Sequence, residues 1–112
     1  MRREADKLLR DARTGVLALA ILKILVDHGP LHGYGLRKTL STLTGRDPPE
    51  TSVYDALKRL ERLGLASSYW ARGGTGSLRK YYKATPIAGE VLEEALGELS
   101  RLMGWLLCRE TG

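Results

Sequence analysis

Asparagine and glutamine are both absent from the 112-residue chain. These thermolabile amides are scarce in proteins from hot environments, so such a source is the expectation, and a mesophilic melting temperature would contradict it. Cysteine is nearly absent too. Cys108 stands alone, which excludes an internal disulfide and points to a reducing compartment. It has no base nearby in sequence and reads as a small buried apolar residue. Long apolar runs are missing: Val16–Val26 is interrupted by Lys23 and is too short to span a bilayer. The charged N-terminus lacks the apolar stretch of a signal peptide. A cytoplasmic protein with no membrane partner is therefore expected. His28 and His32 are four apart, but Pro30 between them breaks any helix that could present them as a metal pair. No glycine motif precedes a helix in the manner of a phosphate loop. Neither a metal, a cofactor nor a catalytic site is expected, and an enzyme is the least favoured class.

What the chain does have is positive charge, unevenly placed. The net charge is +5 and the isoelectric point about 9.6. Residues 37–83 carry ten Lys/Arg against four Asp/Glu, whereas residues 84–112 carry two Arg against five Glu. A basic middle beside an acidic tail suggests a polyanionic partner for the middle only. The length suits one domain, which buries roughly two-thirds of its unfolded surface and gains from oligomerisation.

Periodicity divides the chain into short elements. Residues 1–14 are charged and read as a helix or a loosely docked arm, with a break at Thr14-Gly15. Val16–Asp27 is apolar nearly all the way round at about 100° per residue, the pattern of a central helix, and Gly29-Pro30 stops it. His32–Leu43 is a second helix, capped by His32, with Tyr34, Leu36, Leu40 and Leu43 as its apolar positions. Thr44–Glu50 is a loop. Thr51–Gly64 is the clearest helix, with Thr51 or Ser52 as cap. Val53, Ala56, Leu57, Leu60 and Leu63 share one arc, while Thr51, Asp55, Lys58, Arg59 and Arg62 share the opposite one. Ser67–Ala71 and Leu78–Ala84 form a β-hairpin around the tip Gly73–Gly76. Alternation puts Arg79, Tyr81 and Lys83 on one face and Lys80, Tyr82 and Ala84 on the other. Thr85 is the expected cap of a last helix with Pro86 at its first position, running to about Leu107.

The fold class that follows is mainly α with a small β-hairpin, in the order of a winged helix-turn-helix. "GPLHGYGLRKTL" (Gly29–Leu40), "TSVYDALKRLERLGL" (Thr51–Leu65) and "RKYYKAT" (Arg79–Thr85) together resemble the PadR-type transcriptional regulators. That family shares Gly-Pro-x-His-Gly-Tyr-x-Leu, then Gly-Thr-Leu-Tyr-x-x-Leu-x-x-Leu-Glu, then a basic-Tyr-Tyr-x-Leu-Thr wing strand. Here Thr51-Ser52-Val53-Tyr54 replaces Gly-Thr-Leu-Tyr, and Ala84 stands in place of Leu. The family places a Gly three residues after the wing Thr; here Gly89 lies four after Thr85, which rotates the last helix relative to the wing.

A division follows into a winged-helix DNA-binding domain over residues 15–86 and a dimerisation helix over 87–112, with 1–14 a candidate to join the interface. Helix 51–63 is the expected recognition element, because an α-helix fits the major groove and its N-terminal residues reach base edges. Thr51, Ser52 and Asp55 are short and sit at that end; Lys58, Arg59 and Arg62 reach phosphates or guanine. The resemblance implies that Tyr54 lies near the DNA backbone. Arg72, Arg79 and Lys80 around the wing (66–84) contact the backbone or minor groove, and Tyr82 points inward. A solvated polar face is the bland alternative for the helix alone; wing and charge asymmetry together favour DNA.

The last helix carries an apolar arc of about 200°, counted at the helical repeat, wider than one domain surface covers. Leu92, Leu96, Leu99, Leu102, Met103 and Leu106 are its dimerisation candidates, and a two-fold homodimer is the simplest answer. Gly97 and Gly104 predict little helix there without a partner. Some multidrug-sensing relatives stack planar ligands on a Trp of this helix. Trp105 is therefore the candidate contact for a small planar effector, with core or interface packing the favoured alternative. The reading is a homodimeric regulator of double-stranded DNA on a palindromic operator. Repression is implied by the resemblance alone. A winged-helix protein-interaction module is the runner-up; it explains the apolar helix but not the basic middle.

Overall fold

The computed structural model describes residues 1–108; residues 109–112, the end of the expected 87–112 segment, lie outside the described residues. The first element, α1, is one continuous helix, Arg3–His28. The expected break at Thr14-Gly15 does not occur. Thr14 Oγ1 donates back to the Arg10 carbonyl at 3.1 Å, and a single helical Gly costs only about 1 kcal/mol. Burial of the second half carries that cost: Ala18, Ile21, Leu22, Ile24 and Leu25 lie in the core. The first half is exposed, apart from partly covered Ala5 and Gly15, and an Asp6–Arg13 ion pair crosses its surface.

Gly29 adopts φ +84° and ends α1. The chain then forms a two-residue strand, β1 (Leu31–His32), antiparallel to the later wing strand. No alternation can show in two residues, so the sequence pattern gave no hint of it. His32 caps α2 (Gly33–Thr44) as expected: the Gly35 N–H donates to His32 Nδ1 at 3.0 Å. Only Leu36 and Leu40 of its apolar positions are buried; Tyr34 and Leu43 face outward. Buried Gly33 takes the place expected of Tyr34 at the helix contact, and a Cβ there would collide with the Tyr54 hydroxyl and ring.

The third helix, α3, spans Glu50–Arg62. Its N-cap is Pro49, with no side-chain cap, so Thr51 and Ser52 lie within the first turn rather than before it. The Val53 N–H donates to the Pro49 carbonyl, and Glu50 places negative charge at the helix start, where the backbone dipole favours it. Val53, Ala56, Leu57 and Leu60 are buried, while Leu63 is exposed. Gly64, at φ +74°, turns the chain out of the helix, and the Leu65 N–H donates back to the Leu60 carbonyl.

Strands β2 (Ala66–Arg72) and β3 (Leu78–Ala84) pair antiparallel, giving a sheet ordered β1-β3-β2. Thr85 does not cap the last helix. Its hydroxyl donates to the Gly64 carbonyl at 2.7 Å and its N–H to the Leu65 carbonyl, tying the wing's base to the end of α3. With Thr85 so engaged, Pro86 and Ile87 form a turn and α4 starts at Ala88, running to Leu107. The core is one cluster: α1 packs on α2 and α3, with Tyr82 of β3 and Ala88 and Leu92 of α4 closing it.

Candidate nucleic-acid interface

Burial of one side of α3 fixes what its other side shows. With Val53, Ala56, Leu57 and Leu60 in the core, Thr51, Asp55, Lys58, Arg59 and Arg62 are all exposed, and Ser52 is half-covered. Tyr54 lies at the edge, its ring against Gly33 of α2. The Glu61 carboxylate is drawn toward the wing, accepting from Ser68 Oγ at 3.1 Å. Among the described residues the ion pairs are Asp6–Arg13, Lys23–Asp27, Arg37–Glu50 and Glu98–Arg101. Lys58, Arg59, Arg62, Arg79 and Lys80 take part in none of them. Their charges meet solvent unneutralised, which is the condition for releasing counterions from a phosphate surface.

The wing divides its cations between two faces. Cross-strand pairing sets Ser68 opposite Tyr82, Trp70 opposite Lys80 and Arg72 opposite Leu78 on the α3-facing side. The Lys80 ammonium lies 5.5 Å from the Tyr82 ring centroid. Arg72 also braces the tip, its guanidinium donating to the Gly76 carbonyl at 2.9 Å. On the other face an aromatic row crosses all three strands. Tyr69 stacks on Tyr81 at 5.7 Å, and His32 meets Tyr81 edge-on at 5.4 Å. Arg79 belongs to this second face. With His32, Tyr34, Tyr81 and the tip glycines it lines a shallow depression of about 230 Å³. Arg79 and Lys80, adjacent in sequence, are therefore not brought together. Burial raises the Tyr82 hydroxyl pKa above its ordinary 10.0, with the charges of Glu61 and Tyr54 adding to the effect. The ring stays neutral under the wing.

The tail departs from expectation in three places. Leu92 is only 5 % exposed and belongs to the chain's own core, so it is unavailable to a second copy. It lies in the second turn of α4, where α1 still covers the helix. Cys108, expected inside, is exposed because α4 has left the domain by that point. The helix is continuous through Gly97 and Gly104 in the single chain, since two isolated glycines weaken a helix without ending it. The rest of the arc is bare: Leu96, Leu102, Met103 and Leu106 are exposed and Leu99 is half-covered. Trp105 is 79 % exposed.

The sequence profile of the transcriptional regulator PadR-like family matches residues 21–94, from the buried half of α1 through the first turns of α4. The chain belongs to this family. A PadR family regulator from Eggerthella lenta is 32 % identical, with a TM-score of 0.76 over 96 % of this chain and 94 % of that one. A regulator from Thermoplasma acidophilum is 29 % identical, with a TM-score of 0.72 over 90 % and 99 % of the two chains. Bacillus subtilis PadR, solved in complex with operator DNA, shares the fold at 24 % identity and a TM-score of 0.61 over 87 % of this chain and 51 % of that one. Among curated sequences, a 37.1 kDa protein of a Streptomyces fradiae transposon is 32 % identical over 92 residues; this chain spans a quarter of its length.

Membership makes this PadR-like chain a winged-helix transcriptional regulator. Sequence reasoning missed two surface features of the wing: exposed Trp70, and the His32–Tyr81–Tyr69 row. The second was not readable from the chain, because it requires β1 beside β3. The first was: Trp70 alternates in phase with Ser68 and Arg72, three residues from a glycine tip that no core can reach. No helix among the described residues is long and apolar enough to cross a membrane.

Proposed function

We propose that two copies of this PadR-like chain, joined through α4, bind a palindromic operator with α3 in successive major grooves and the wing along the flanking backbone. The observation that carries this reading is the pairing of two unmet surfaces. One is the unneutralised set Lys58, Arg59 and Arg62 on α3. The other is the bare arc Leu96, Leu102, Met103 and Leu106 on α4. The first suits phosphate and base edges; the second suits a copy of itself, with exposed Leu8 and Leu9 of α1 as candidates to extend the seam. A two-fold pair sets recognition helices one DNA turn apart. A protein of the same fold has been crystallised with operator DNA. Within this reading Thr51, Ser52 and Asp55 face bases, Tyr54 lies by the backbone, and binding blocks transcription. Trp105, 79 % exposed near the end of the seam, is outside the core; packing within the seam is its favoured role, and contact with a planar effector the alternative.

Titration against duplex DNA at two salt concentrations, with sedimentation in parallel, tests the proposal. A DNA-binding dimer sediments as two chains and weakens steeply with salt, the slope counting displaced counterions. An affinity for duplex that is absent or indifferent to salt would reject it in favour of a protein-interaction module.

A further inference from the structure

Trp70 and Leu78 are the two apolar side chains on the α3-facing side of the wing that the core does not reach. Nearer the base, the same face is closed: Tyr82 is buried, and Ser68 is bonded to Glu61 of α3. Toward the tip, Trp70 is 63 % exposed and Leu78 58 % exposed. Each has a cation directly across the ladder, Lys80 opposite Trp70 and Arg72 opposite Leu78. Neither residue belongs to the core, and together they form the apolar end of a face whose other exposed side chains are cationic.

The flanking charges decide which partner. A protein surface apolar enough to cover an indole would have to desolvate the ammonium and guanidinium beside it. A DNA duplex suits both at once. Its phosphates take the cations, and between them the minor groove presents deoxyribose C–H walls and base edges. Apolar side chains are used as wedges in that groove by proteins that also bind its rims with Arg and Lys. We infer that Trp70 and Leu78 form an apolar wedge by which the wing enters the minor groove, resting on the sugars while Lys80 and Arg72 hold the phosphates beside them. The inference rests on the DNA-binding reading above and deepens it. It adds a preference for A·T pairs beneath the wing, where no guanine amino group obstructs the groove floor.

The test uses a duplex selected from a random pool, with binding followed by the anisotropy of a label on the DNA. The chain has two tryptophans, so Trp105→Phe leaves Trp70 as the only tryptophan, excited selectively beyond the tyrosine absorption edge; sedimentation checks that this variant keeps its association state. On adding DNA, Trp70 emission should change and become shielded from acrylamide, with the same midpoint as the anisotropy. In the otherwise native chain, Trp70→Ala should bind about tenfold more weakly, the scale of one exposed apolar contact. Its salt slope should be unaltered, whereas Lys80→Ala should lower the slope by about one. The melting temperature of Trp70→Ala should match the native chain, because the residue lies outside the core.

If Trp70→Ala binds as tightly as the native chain and Trp70 stays open to acrylamide on bound protein, the wedge is overturned while the DNA reading stands. If Trp70 becomes shielded with rising protein concentration and not with DNA, the pair is a contact between copies and the wedge is again overturned. If the native chain binds no duplex at all, both readings fall.

Discussion

Helices α3 and α4 are both amphipathic, and the fold treats them in opposite ways. In α3 the apolar side is inside, with Val53 and Leu57 completely covered, and the charged side is bare. In α4 only Ala88 and Leu92 are buried, and the helix then runs out of the domain with its apolar side open. A bare charged face is at equilibrium in water and binds by exchanging counterions for phosphates. A bare apolar face lowers its free energy by any burial, which is why a second copy is the proposed cover for α4. On the proposed reading, the difference separates affinity for DNA from the assembly that doubles it.

The comparison can be broken most severely at α4. Leu102→Glu with Leu106→Glu should yield a monomer by sedimentation and lower operator affinity by at least about a hundredfold, because the linked second half-site is lost. Secondary structure by circular dichroism should be retained, as neither residue is in the core. If affinity survived with the chain monomeric, the division of labour between the two helices would be wrong. Next, Gly33→Val drives a side chain into Tyr54 and should lower stability by about 1–3 kcal/mol, the usual cost of overpacking. Denaturant unfolding measures it, and Tyr54→Ala in the same chain should recover part of the loss.

On the α3 face, Arg59→Ala should cost about 1–3 kcal/mol on the selected operator and relax preference at one base position. Arg79→Ala should weaken all duplexes alike and flatten the salt dependence, since a phosphate contact positions without specifying. Equal behaviour of the two variants would erase the distinction between reading helix and wing. The smallest effect concerns Tyr82. Its pKa is raised by burial, so the unfolded chain loses this proton first as pH climbs. The stability tied to the neutral ring is complete below pH 10.0, and declines as pH rises from there toward the folded-state pKa. The stability difference between native chain and Tyr82→Phe should be constant below that range and shift in favour of the Phe variant above it.

Much of the recognition side was readable along the chain, because α3 obeys a single period over three turns and ends on a glycine. Val53, Ala56, Leu57 and Leu60 fall inside for the reason that spaces them, and the cations opposite them fall outside. The misreadings occur where a residue had two available partners. Thr85 could cap α4 or bind the end of α3, and the proximity of Gly64 in the folded chain selects the second. Thr51 and Ser52 look like caps, but Pro49 already provides a backbone carbonyl for the first turn. Tyr34 and Leu43 match a helical stripe, yet Tyr54 packs on Gly33 rather than beside Tyr34, and Leu43 lies in the last turn of α2, so only Leu36 and Leu40 of that stripe are buried. Leu92 and Leu102 lie on one arc and are chemically alike. Only the point at which α4 departs from α1 separates core from open surface.

By itself the sequence determined the local elements, the sign and position of the charge, and the surplus of apolar surface near the C-terminus. Each of these follows from spacing and side-chain chemistry within a few turns. The tertiary structure alone decided which surfaces are left over: β1 against β3 with the aromatic row it completes, Thr85 against Gly64, Gly33 against Tyr54, and the point at which α4 leaves α1. Those outcomes depend on contacts between residues far apart in the chain. Burial by a distant neighbour, unlike periodicity, leaves no mark in the sequence around the residue it covers.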